Sequence, residues 1–66
     1  PDLSPREREI LHLIRRGKSN KEIGAALFIT EDTVKRHVSN ALAKMHVSDR
    51  AEAVAEALRR GLLPEE

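Results

Sequence analysis

Asp32, Lys35, Arg36, Ser39 and Asn40 follow one another at spacings of three, one, three and one residues. On a helix turning about 100° per residue they share one side, with Thr33 and His37 along its border. A guanidinium, an ammonium, a hydroxyl and a carboxamide offer donors and acceptors at fixed positions, so this side is equipped to recognise a surface by hydrogen bonds. Solubility alone would be met by alternating Glu and Lys. Catalysis finds no comparable set. His12, His37 and His46 are spaced neither three nor four apart, and no Cys accompanies them, which argues against a zinc site. There is no glycine-rich phosphate loop, and no Ser–His–Asp arrangement can be argued from such short helices. The expectation is a binding domain, not an enzyme, with no cofactor and no metal.

Positioning these residues requires a helix with a buried opposite face. Val34, Val38, Ala41, Leu42 and Met45 supply that stripe, and Arg36 lies near the centre of the side facing away. Four helix starts are marked. Ser4-Pro5-Arg6-Glu7 has the cap, the first-position proline and the reciprocal Glu of a capping box. Ser19-Asn20-Lys21-Glu22 repeats the box spacing. Thr30 precedes Glu31 and Asp32, and Ser48-Asp49 opens the last helix. Two stops are marked by Gly17 after Arg15-Arg16 and Gly61 after Arg59-Arg60. The predicted helices are 5–16, 20–27, 31–45 and 49–60. Only Phe28-Ile29-Thr30 separates the second from the third, which is helix-turn-helix spacing, shared by many helix corners. In the first helix Ile10, Leu11, Leu13 and Ile14 face inward. In the second Ile23 and Leu27 do, with Gly24 beside them. In the fourth, Val54, Leu58, Ala51 and Ala55 are expected inward, with Ala53 and Ala57 forming a smooth outer flank that could receive a partner helix. Glu7 is expected in its capping box, with an ion pair to Arg50 as a further possibility.

Sixty-six residues allow one small all-α domain, 1–66. A chain this short buries only about 60% of its unfolded surface, so aliphatic packing and helix caps must stabilise it. Phe28 is its one aromatic residue. No stretch approaches the roughly 20 apolar residues of a membrane span, and no signal peptide is visible. A Cys-free chain fits the cytoplasm. Beginning at Pro1, it reads as an excised domain of a longer protein. The formal net charge of +1 hides an asymmetry. Arg6, Arg8, Arg15, Arg16, Lys18 and Lys21 outnumber the acids of residues 5–24, whereas acids prevail in 51–66. A polyanion is therefore admissible on one side.

Across nearly its whole length the chain resembles the LuxR-type (NarL/FixJ or GerE-like) helix-turn-helix domain of bacterial transcription regulators. The resemblance rests on SPREREIL, G-x-SNKEI, L-F-I-T-x-x-TVK-x-HVSN-x-L-x-K, and V-x-DRAEAV with a terminal G-L-L. It implies a compact four-helix domain that binds double-stranded DNA, following a receiver or sensor domain and often belonging to a two-component response regulator. It places residues 31–45 in the major groove as recognition helix, with Lys35, Arg36 and Ser39 at base edges. Lys21, Thr33, His37 and Asn40 match backbone-contacting positions. The fourth helix matches the dimerisation helix, for which Ala53, Glu56, Ala57 and Arg60 are the candidates, implying an operator of paired half-sites. The residues agree: Arg36 is a planar donor suited to guanine O6 and N7, and Lys21 adds a cation to a helix amino end. The family favours Ala where Gly24 stands, and Asp32 puts an acid on the reading face. It would accept from a cytosine amino group or serve only the helix dipole. Two other readings are a helical protein-interaction module and a promoter-binding domain like region four of a sigma factor. TVKRHVSNAL and the complete fourth helix count against the sigma-like reading.

Overall fold

The computed structural model describes residues 2–64, which form four helices: α1 Pro5–Arg15, α2 Asn20–Leu27, α3 Glu31–Met45 and α4 Arg50–Arg59. Each begins where a side-chain oxygen takes an orphan amide. Ser4 accepts from the Glu7 amide while the Glu7 carboxylate accepts from the Ser4 amide. Ser19 and Glu22 repeat the exchange. Thr30 caps α3 and Asp49 caps α4 through the amides of Thr33 and Glu52. Gly17 and Gly61 stop α1 and α4 at φ 85° and 72°. The other two stops are not glycines: Phe28 caps α2 at φ 59° and His46 caps α3 at φ 58°. Left-handed backbone costs a side-chain-bearing residue about 1–2 kcal/mol, and nothing in the sequence marks these two positions for it.

The core is two adjoining clusters. Ile10, Ile23, Val34 and Val38 join α1, α2 and α3. Leu11, Ala41, Met45, Ala53 and Ala57 join α1, α3 and α4, closed at the chain's two ends by Leu3 and Leu63. The stripe predicted for α3 is the buried one. In α2, Gly24 is buried because the turn folds back onto it. A Cβ there would lie 2.7 Å from the carbonyl oxygen of Ile29, so the close approach is what glycine admits here.

The fourth helix is rotated from its predicted orientation. Ala53 and Ala57 are fully buried (0% exposed), whereas Ala51 and Ala55 face solvent and Val54 and Leu58 lie half-buried between the two flanks. Ala53 and Ala57 therefore offer no surface to a partner. Their small side chains instead let α4 approach α1 and α3.

Glu7 also has a different ion partner. Its carboxylate, 3% exposed as a residue, meets the Lys44 ammonium at 2.9 Å rather than Arg50. Lys44 lies on the side of α3 that runs along α1, while Arg50 is only the first residue of α4. Burial pushes the Glu7 carboxyl up, but the Ser4 amide and hydroxyl and the Lys44 ammonium outweigh it and hold it below the usual range.

Candidate nucleic-acid interface

With Val34, Val38, Ala41 and Met45 buried, the opposite side of α3 is set by helix geometry. Lys35, Arg36, Ser39 and Asn40 are all exposed there, and Asp32 joins them from the first turn. Arg36 stands opposite the centre of the buried stripe. From Arg36 to Ser39 the helix rises about 4.5 Å, so the two stand within one turn of each other on the exposed side. Asp32, in the first turn, suits the positive end of the helix dipole.

Thr33, His37, Asn40 and Lys44 form one flank, at intervals of three and four residues, leading toward α1. Thr33 and His37 are half-buried on it. The Thr33 hydroxyl lies 2.8 Å from that of Thr30. It is thus held within the cap, and its orientation is set before any ligand arrives. Thr30 is a residue of this end that the sequence reading treated only as a cap.

Lys21 is exposed in the first turn of α2. Its neighbours Ser19 and Glu22 occupy each other, and Ser19 first among several partners lowers the Glu22 carboxyl below its ordinary value. Lys21 thus adds a cation to the amino end of α2, where the helix dipole is positive, a combination suited to a phosphate. Gly24 closes the connector between α2 and α3, so Lys21 and the exposed side of α3 belong to one rigid unit.

The α4 candidates lie elsewhere. Glu56 accepts from Arg59, and from Arg60 at 2.7 Å. Arg59 foremost, then Arg60, holds its carboxyl at about 2. These i,i+3 and i,i+4 contacts are partly exposed and add little stability. They do hold Glu56 and Arg60 together, on the edge of α4 away from Val54 and Leu58.

Among the described residues no helix is long and apolar enough to cross a membrane. Residues 1–57 match the family described as bacterial regulatory proteins, luxR family. The transcriptional regulatory protein YhcZ of Bacillus subtilis is 57% identical over 60 residues, 91% of this chain but 28% of that protein. The spore germination protein GerE of Bacillus subtilis is 49% identical over 63 residues, 96% of this chain and 85% of its own length. The structure of the transcription factor GerE superposes with a TM-score of 0.90 at 47% identity, covering 94% of this chain and 92% of that one. The response regulator ChrA of a heme-sensing two-component system gives 0.91 at 40% identity, covering 96% of this chain and 31% of ChrA. The chain thus spans little more than a quarter of YhcZ and most of GerE.

Proposed function

The chain belongs to the LuxR family of bacterial regulatory proteins, and from that membership we propose that it binds double-stranded DNA sequence-specifically to regulate transcription. The observation that carries this reading is the exposed Arg36, central on a polar face whose reverse is buried, on a helix locked to Lys21 through a closed turn. In this reading α3 lies in the major groove. Arg36 donates to a guanine, Lys35 and Ser39 reach neighbouring base edges, and Lys21, Thr33, His37 and Asn40 hold the sugar-phosphate backbone. Two copies occupy paired half-sites, meeting through the outward side of α4, where Ala51 and Ala55 adjoin Val54 and Leu58; Glu56 and Arg60 lie round the helix from this strip and take no part in the contact. The domain acts in the cytoplasm as the output module of a longer regulator controlled by a receiver or sensor domain. The ChrA likeness supports a two-component setting, and the GerE likeness shows that a relative scarcely longer than this chain also exists.

A salt titration of binding to duplexes selected from a random pool tests the reading. The logarithm of affinity should fall linearly with that of salt, by about 0.9 per phosphate neutralised. Binding that is indifferent to salt, or no selected consensus, would contradict it and favour a protein ligand for the polar face of α3.

A further inference from the structure

Phe28 is the chain's one aromatic residue, and it is 94% exposed. Its backbone is left-handed, at φ 59°. The α1 and α4 stops, by contrast, are taken by glycine. That backbone is accounted for by the closed turn, as it is at His46, but the bulky apolar side chain held outward satisfies nothing within the fold. The turn is well supported: the amides of Phe28 and Ile29 both donate to the Gly24 carbonyl, the latter at 2.9 Å.

Its position says what the ring meets. Phe28 lies three residues before Glu31, so at most about 11 Å of chain separates it from the start of α3. The major groove is about 8.5 Å deep and 12 Å wide. With the first turns of α3 at base edges, the connector stands at the rim, where deoxyribose presents C–H surface. A protein occupant does not fit. One aromatic ring buries about 150–250 Å², against about 800 Å² per partner in a stable interface, and the exposed Ala25 and Ala26 nearby add little.

We propose that Phe28 is a further DNA-contacting residue, its ring packing on a deoxyribose at the edge of the groove that receives α3. This rests on the DNA-binding reading above. It differs from the roles of Lys21 and Arg36, because an apolar sugar contact carries neither charge nor base identity.

The test compares Phe28→Ala, Phe28→Gly and Phe28→Tyr with the unaltered chain on a selected operator and on a mixed-sequence duplex, across a salt series, with thermal melts alongside. Ala and Gly should weaken both duplexes by about the same factor, about fivefold. Salt slope and base preference should not change. Tyr should bind as the unaltered chain does, and neither loss should track a lower melting temperature. Equal affinity of Phe28→Ala and the unaltered chain would overturn the proposal. So would a loss confined to one base pair, or one confined to self-association in sedimentation. If the unaltered chain binds neither duplex, the DNA-binding reading itself fails, an outcome distinct from a silent Phe28 substitution.

Discussion

Arg36 and Lys21 are both exposed cations, yet their surroundings give them different work. Arg36 projects from the exposed side of α3, and on the reading proposed above its fork of donors would meet a base edge. Arg36→Ala should cost roughly 1–3 kcal/mol on the operator and relax preference at one base pair per half-site. Melting should move within about 0.5 kcal/mol, since the residue is exposed. Operators substituted at each position would report it, and uniform weakening would make Arg36 a phosphate contact and Lys35 the better base reader. Lys21 stands in the first turn of α2, at the positive end of the helix dipole. Lys21→Ala should weaken all sequences alike and make the salt slope shallower by about one per protomer. A loss seen only on the operator would contradict that role. Glu7 concerns stability instead. Its lowered carboxyl means that its contribution is complete above the ordinary value of 4.5 and fades as pH falls through the lower folded value. Glu7→Gln keeps an acceptor for the Ser4 amide but leaves Lys44 without its counter-charge. Destabilisation of about 1–3 kcal/mol at neutral pH is expected, together with a flatter loss of stability between pH 4.5 and the acid limit. Denaturant melts across that range would show an unchanged acid profile if the pair were idle.

Among the elements, α1, α2 and α3 lie as their periodicity predicts, and α4 does not. Its buried flank makes two alanines of one helix unequal. Ala57→Leu must force methylenes into a filled core and should destabilise by about 1–3 kcal/mol. Ala55→Leu, on the outward side, should leave stability within about 0.5 kcal/mol. The reverse order of effects in thermal melts, with Ala55→Leu the damaging one, would mean that α4 sits in the orientation first expected from its sequence. The connector between α2 and α3 is the other element with a specific demand. Gly24 lets Ile29 close on α2, and that closure sets the angle at which Arg36 is presented relative to Lys21.

At the scale of the molecule, the outward strip of α4 is narrow: two alanines beside two half-buried aliphatic residues. So small an apolar surface supports at most a weak dimer alone. Sedimentation should find monomer or weak dimer without DNA and two protomers per operator at saturation, since adjacent half-sites raise the local concentration of the second copy. A stable tetramer, or one protomer per full operator, would contradict the arrangement. The charge asymmetry is weak at this scale, because Glu52 and Glu56 of α4 are offset by Arg50, Arg59 and Arg60 on the same helix and its cap.

What this sequence determined by itself was local. A cap and its reciprocal Glu, a glycine after paired arginines and a stripe at helical spacing each act within a few residues. The helix ends therefore agree with the prediction to within one residue, and the exposed face of α3 was legible before any fold was known. Whatever needed a second element was not. In RAEAVAEAL the alanines stand almost symmetrically about the Val54–Leu58 ridge, so helical period alone cannot choose a flank. Contact with α1 and α3 chooses it, burying Ala53 and Ala57. The partner of Glu7 is likewise a matter of which cation α3 brings alongside α1. The left-handed Phe28 has no signature because nothing in its type asks for that backbone; the close return of Ile29 onto Gly24 imposes it. Local chemistry placed the polar face of α3, and packing between helices decided which side of α4 remains exposed.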